Sequence, residues 1–522
     1  MLDCKITQGT VYDGLGGPPT VADVGVKDGK IAAVGSLGDV PAREILPAEG
    51  LCVCPGFIDV HSHTDDWYFL NPWAVSKLLQ GVTTEIIGNC GDSAAPLAAF
   101  KSVRTADGSE FRWRTTGEFM AAVQSHGLGI NAASLIGHGN LRSIAVGEES
   151  GRADRNHLQA MKRLLRRSLA DGALGLSTGL VYPPGCFADT VELTALGVTL
   201  LPAGGIYTSH IRDEGDRLTE SVREVIELCR ATGVTGVVSH HKAAGRKNWG
   251  KTATTLRLLA AARADGLRIF CDVYPYTALN TGLGTLLPLW SHSGGRAAML
   301  ERLDASQTLP EIRREVEEKA AGDYANIIIT KLKAPEHREL QGRSLAEIAA
   351  RLGLSPSEAV IALLRTNAGE VDMIWHALAE EDLQAVLAAP FAMIGSDAGA
   401  RVSYGPLAAE LPHPRSYGTF PRVIARYVRE LGLLSLAEAI RKMTSLPAQV
   451  FGLANRGRLT SGCAADITIF DFAAICDTAT YANPFQQPAG VLHVLVNGVP
   501  AVWDGKLQYR AAGRFLRRRH WR

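Results

Sequence analysis

Long apolar runs are missing from this chain: nothing approaches the ~18 consecutive apolar residues that a membrane span needs. An excess of either charge is missing as well. Lys and Arg number 54 against 53 Asp and Glu, a formal net charge of +1, so no electrostatic pull toward nucleic acid or an anionic membrane is expected. The one basic cluster, the tail "FLRRRHWR" (515–522), reads as a solvated terminus. The start, "MLDCKITQGTVYDG", lacks the basic segment and apolar run of a secretory leader. Nine cysteines, an odd number, lie scattered at Cys4, Cys52, Cys54, Cys90, Cys186, Cys229, Cys271, Cys463 and Cys476. They form no paired framework. The expectation is reduced thiols in a cytoplasm, any special one being metal-bound or reactive. A small-molecule substrate is expected, with no nucleic-acid or membrane partner and the oligomeric state open.

What is present is an ordinary globular composition, 46% hydrophobic and 20% charged over 522 residues. That length suits a barrel of about 250 or more residues plus a second module. The first fifty residues alternate, and "VADVGVKDGKIAAVG" reads as strand, Asp-Gly turn, strand. The C-terminal part repeats this style in "GRLTSGCAADITIFD" and in "GVLHVLVNGVPAVWDGK", whose turn is Asn497–Gly498. The two ends, 1–54 and 456–522, are therefore expected to form one small discontinuous β domain, with the middle folding as an insertion.

That middle, 55–455, alternates short apolar strands with helical segments. Seven strands end in polar or glycine punctuation: "GFIDVHSH", "TTEIIGNCG", "AASLIGHGN", "GALGLSTGLVYPPG", "GGIYTSHIRDEG", "VTGVVSHHKAAG" and "LRIFCDVYPYTA". An eighth, "FAMIGSDAG", follows much later. The spacing predicts an α/β fold, a (β/α)8 TIM-like barrel. The long gap before the eighth strand is read as a lid subdomain inserted at about 282–345. Its strand "NIIITKL" leaves the strand count ambiguous.

In such a barrel the chemistry sits where the strands end and the chain opens a mouth. The polar residues fall there: His61 and His63 after the first strand, Cys90 after the second, His138 after the third. His210 follows the fifth, His240 and His241 the sixth, and Asp397 the eighth. A single strand-end His is more often a hydrogen-bonded structural residue, and His138 is read that way. The convergence of the others points to metal, because thiolate, imidazole and carboxylate are what zinc takes. Residues i and i+2 of a strand share a face, so His61 and His63 can both face the mouth. His240 and His241 cannot both do so on a regular strand, while Lys242 shares a side with His240. Cys90 alone could be a small buried hydrophobe. Asp397 could cap a helix, bind a metal or act as a general base beside a metal-bound water.

Longer blocks carry a resemblance. "QGVTTEIIGNCGDSAAPL", "GLVYPPG", "YTSHIRDEG", "SHHKAAGRKNWGK", "DVYPYTA", "PHPRSYGTFPRV" and "TSLPAQVFGLANRGRL" resemble the N-acyl-D-amino-acid deacylases, or D-aminoacylases, of the amidohydrolase superfamily. The resemblance implies a barrel with a small β-sandwich domain and a zinc enzyme that releases a D-amino acid from a linear amide. It implies Cys90, His210 and His240 as ligands of a tight zinc and His61 and His63 as ligands of a second, weaker position. Asp397 matches the catalytic acid/base. Lys242, Arg415, Tyr182 and Tyr274 match the group that holds the substrate carboxylate. The candidate fourth strand has no Lys to be carbamylated, and the Cys90 thiolate could supply that negative charge instead. Two positions depart from the family: Ala398 stands where a Gly usually follows the Asp, and Val181 where a larger residue is common. Val181, Leu289, Trp375 and Leu378 fall near the side-chain pocket, and "NTGLGTLLPLW" has no basic residue. The expected D-residue is therefore apolar. The rival readings are a D-dipeptidase, an N-acyl-D-Glu/Asp deacylase, a hydantoinase-like enzyme, or a non-catalytic metal-binding barrel.

Overall fold

The computed structural model describes residues 1–518. Both chain ends enter one nine-stranded sheet. Its seam is the strand Cys52–Pro55, which pairs parallel with Leu2–Val11 (Thr10↔Cys52) and antiparallel with Ile467–Phe470 (Ile467↔Pro55). Two hairpins flank the seam, turning at Asp28–Gly29 and Asn497–Gly498. All four turn residues have positive φ, between 49° and 80°, which is what a tight two-residue hairpin demands and Asp-Gly or Asn-Gly supplies. One apolar cluster, including Ile6, Val24, Val53, Leu459, Ile467 and Leu495, draws on both ends of the chain.

The middle supplies parallel strands in chain order: β1 (Phe57–Asp59), β2 (Val82–Ile87), β3 (Asn131–Ser134, resuming at Ile136–Gly137), β4 (Gly175–Gly179), β5 (Ile206–His210), β6 (Thr235–Val238), β7 (Ile269–Val273) and β8 (Ala392–Ile394). Each pairs parallel with its sequence neighbour. Beyond β8, the Asp397 N–H donates to the His61 carbonyl at 2.8 Å and Ser62 bridges Ala398, joining the last strand's exit to the first's. These strands are buried throughout their length, as parallel strands covered on both faces are. Helices return the chain between them. In Leu218–Thr232, for example, Leu218, Val222, Val225, Ile226 and Cys229 are buried at helical spacing, and Gly233 closes the helix in the left-handed region at φ 73°.

Before β8 the chain makes a detour with its own core. Strands Leu279–Gly282, Val371–Trp375 and Ile327–Leu332 form a separate antiparallel sheet. Its apolar cluster runs from Leu283 to Met373 and takes in helices Leu309–Ala320, Leu345–Leu352 and Pro356–Thr366. The strand of "NIIITKL" belongs here, not with the parallel set.

The tail differs from its expectation as a solvated terminus. The Leu516 N–H donates to Ala132 O and that of Arg518 to Gly172 O, and Phe515 is buried. An apolar Phe and Leu in "FLRR" can cover the starts of β3 and β4 while the basic residues flank them. The last four residues of that cluster lie outside the described ones.

Candidate active site

The ends of the parallel strands surround a cavity of about 1540 Å³, roofed in part by the inserted unit. Nine of the ten site residues expected from sequence line it; His61 lies fully buried in its floor. The chain reaches this mouth by leaving the strands in strained turns. Cys90 (φ 52°), His240 (φ 34°) and Asp397 (φ 50°) all sit in the left-handed region, a conformation that costs a non-glycine residue on the order of 1–3 kcal/mol and concentrates at functional sites. The turn at His240 separates the two neighbouring histidines. His240 faces the cavity, while His241 Nε2 reaches Thr255 Oγ1 at 2.7 Å on the returning helix.

Four groups converge. Cys90 Sγ lies 3.2 Å from His61 Nε2 and 3.3 Å from His240 Nε2. Asp397 Oδ1 is 3.4 Å from His61 Nε2 and 3.1 Å from His63 Nε2. One ligand atom each from His61, Cys90, His240 and Asp397 falls within 4.8 Å of the others, and His210, Glu214 and His240 form an adjoining group. His240 is thus common to both groups, and His61 stands with Cys90 as closely as His240 does. Glycine makes the approach possible: a Cβ on Gly179, at the end of β4, would meet Cys90 O at 2.0 Å. β4 contains no lysine, and its end is taken up by the Cys90 turn.

The electrostatics fit a dication. Burial alone would raise the Cys90 thiol, but His61 and His240 beside it bring it well below the ordinary range. Asp397 is likewise held well below, burial being outweighed by Arg415, then His240 and the His63 hydrogen bond. Burial opposes charge on the rings as well, yet His63 is pushed up to about 10 by its hydrogen bonds to Asp397 and Cys90. A thiolate, a carboxylate and imidazoles at one spot are the donor set zinc takes.

Outer groups aim these donors. Asp272, at the end of β7, accepts the His240 N–H at 2.9 Å and lies 3.2 Å from His61 Nδ1. Glu214 Oε1 lies 3.0 Å from His240 Nδ1 and accepts from Lys242 Nζ at 2.5 Å. Arg415 Nη1 pairs with Asp397 Oδ2 at 2.9 Å and its guanidinium stacks 4.5 Å over the Tyr274 ring. Among the described residues the Tyr274 hydroxyl and Arg415 Nε are buried without hydrogen-bond partners, polar atoms awaiting an acceptor or donor. Arg415 opens the helix Arg415–Arg422, and its N–H donates to His413 Nδ1 at 3.0 Å. The Tyr182 hydroxyl bonds Thr281 Oγ1 at 2.9 Å in the inserted unit. His138 is fully buried and bonds Glu192 at 2.7 Å, a structural role. Val181, Leu289 and Trp375 line the main cavity, whereas Leu378 lines a small separate cleft. Asp272, Glu214 and His413 were not singled out from sequence, though all three stand within the quoted strand-end and loop blocks.

The model of the amidohydrolase family matches residues 44–502. The chain belongs to that family. Among its relatives, the N-acyl-D-glutamate deacylase of Alcaligenes xylosoxydans xylosoxydans is 38% identical over 99% of this chain and 97% of its own. A crystal structure of N-acyl-D-glutamate deacylase from Bordetella bronchiseptica, with zinc and a phosphonate mimic of the tetrahedral intermediate, is 37% identical. It superposes with a TM-score of 0.82 over 99% of both chains. A structure of D-aminoacylase with a binuclear metal centre is 36% identical, with a TM-score of 0.84 over 99% of this chain and 100% of its own. The fold is the mixed α/β fold of these enzymes, and the chain is a metal-dependent amidohydrolase by family.

Proposed function

We propose that this protein hydrolyses the amide bond of N-acyl-D-amino acids, giving a carboxylate and a free D-amino acid. The observation that carries this reading is one cavity holding both the Cys90–His61–His240–Asp397 donor group and the Arg415–Tyr274–Lys242 group for a carboxylate. Cys90, His210 and His240 would hold the tight zinc, and His61 and His63 would serve the weaker position. Zinc held there supplies Lewis acidity toward the scissile carbonyl and lowers the pKa of water. Asp397 takes the proton of the attacking water and returns it to the leaving amine. Arg415 docks the substrate carboxylate with its planar fork, its unpartnered Nε included, and the Tyr274 hydroxyl donates a further hydrogen bond. Lys242 adds a positive charge beside them. The fixed carboxylate and carbonyl leave one wall for the side chain, so an L-substrate meets the opposite wall.

The side chain accepted is apolar. Val181, Leu289, Met373 and Trp375 line the cavity, and the other cations on its wall already have partners. Arg212 is bound by Glu224, Lys247 by Asp216 and Arg401 by Glu410. Lys319 is spent on the carbonyls of Thr285 and Leu287, and Arg246 stacks on Trp249 near Asp323. Among the described residues these cations are engaged outside the apolar wall, and that wall is what supports an uncharged side chain. The parallel strands are read as a closed (β/α)8 barrel over 55–455, the lid expected at about 282–345 being extended to take in the strand Val371–Trp375 that pairs with Leu279–Gly282, and the terminal sheet as a β-sandwich of 1–54 and 456–518 folded around its shared cluster. Nine free thiols support a reducing, cytoplasmic setting.

The test is hydrolysis by zinc-loaded protein of N-acetyl-D-leucine, N-acetyl-L-leucine and N-acetyl-D-glutamate. Turnover of D-leucine alone is expected, and Asp397→Ala should lower kcat by about 100- to 10,000-fold. Preference for D-glutamate would overturn the apolar pocket; turnover of neither D-substrate would overturn the reaction.

A further inference from the structure

Beneath the mouth lies an ion cluster that lines no part of the cavity. Lys77, on the short helix Val75–Leu78, has no exposed surface. Its Nζ donates to Asp59 Oδ2 at 2.6 Å, to Ser396 Oγ at 2.7 Å and to Ala398 O at 2.7 Å. Ser396 and Ala398 are the two neighbours of Asp397. Asp59 stands two residues before His61, and its Oδ1 accepts the N–H groups of both Ser396 (2.8 Å) and His61 (3.2 Å). One buried pair therefore grips the exits of β1 and β8 at once, on either side of the strained Asp397 backbone.

A buried ion pair gives little net stability over an apolar pair of the same volume. What an apolar pair cannot do is donate to Ser396 Oγ and Ala398 O simultaneously. A residue at φ 50° stays there only when its surroundings over-determine it, and these hydrogen bonds are those surroundings. We propose that Lys77, paired with Asp59, is a positioning residue for Asp397: it fixes the turn that aims the carboxylate at His63 and Arg415. The inference rests on the reading of Asp397 as the catalytic acid/base.

The test uses the full-length, zinc-loaded enzyme. Lys77→Met alone leaves the Asp59 carboxylate buried without its cation and can fail to fold. The informative variant is Asp59→Asn combined with Lys77→Met, which removes the Lys77–Asp59 pair and keeps an acceptor for the Ser396 and His61 N–H groups; the buried Glu85 carboxylate, 3.7 Å from Lys77 Nζ, keeps the hydroxyl donors Ser62, Thr64 and Tyr68. A folded double variant with full zinc content should keep KM within about twofold while kcat falls about 10- to 100-fold, the cost of misplacing a catalytic group by about an ångström. Ser396→Ala should show a smaller fall of the same kind. In crystals of either variant the Asp397 Oδ1–His63 Nε2 separation should depart from 3.1 Å. Unchanged kcat in the folded double variant, or a fall that merely tracks zinc loss, would overturn the proposal. If the double variant does not fold, Ser396→Ala decides in the same way. If the wild type hydrolyses no N-acyl-D-amino acid, the reaction assignment fails, while the crystallographic separation still tests the positioning.

Discussion

His240 Nδ1 has two suitors, Lys242 Nζ at 2.7 Å and Glu214 Oε1 at 3.0 Å. The nitrogen accepts from the first or donates to the second, not both. When Nε2 serves as a ligand, the neutral ring carries its proton on Nδ1, and Glu214 becomes its partner. Glu214→Gln should therefore weaken zinc retention by about 10- to 100-fold, read as metal content after dialysis against graded chelator; retention equal to wild type would remove Glu214 from this role. The sequence announced His240 but not Glu214. A strand-end His beside a Lys reads as a site, whereas a Glu inside "HIRDEG" reads as one more solvated loop charge. Lys77 was less legible still, since a lysine in "AVSKLLQG" looks like the polar face of a helix. Its burial depends on Ser396 and Ala398, more than three hundred positions away.

Elements were legible where local chemistry decides them. Asp28–Gly29 and Asn497–Gly498 each forced a hairpin, and apolar runs ending in His, Cys or Asp marked the parallel strands. The inserted unit was harder to bound, because its central strand Val371–Trp375 pairs with Leu279–Gly282 across most of the insertion. Another nonlocal element supports β8. On helix Leu436–Met443, Lys442 is fully buried and donates to the carbonyls of Ala389 and Ala392 at the entry to β8. Burial lowers its pKa from 10.5 to about 8. Between those values the unfolded chain binds more protons than the folded one, so unfolding free energy rises with pH. The stabilisation is present above 10.5 and is lost as pH falls through 8. Against Lys442→Met, in which every other group still titrates, wild-type stability should rise between pH 8 and 10.5 by on the order of 3 kcal/mol. Parallel pH profiles in denaturant melts would contradict this.

At the scale of the whole molecule, the chain closes on itself twice. The terminal sheet joins the two ends at Cys52–Pro55 and Ile467–Phe470. Then the C-terminal segment leaves that sheet and runs back under the parallel strands: the Gly513 N–H bonds Leu128 O, Phe515 bridges Ala132, and Arg518 Nη1 bonds Leu174 O. These contacts lie where β3 and β4 begin, the end opposite the cavity. In parallel α/β architectures residues at that end serve stability and those at the strand exits serve chemistry. Gly513 has room only as glycine, since a Cβ there would meet Ile130 O at 1.9 Å, so the segment is built to lie flush against the strand start. Deleting residues 513–522 should thus uncover Phe515's site and cost at least the ~1.5–3 kcal/mol of one buried large side chain, seen as a lower melting temperature. KM and the preference for the D enantiomer, measured at low temperature where the shortened chain is still folded, should stay at their full-length values. A shortened protein that melts with the full-length one would mean that the segment rests on the strand starts without holding them. One that keeps its melting temperature but loses enantioselectivity would mean that the two ends of the parallel strands are not independent.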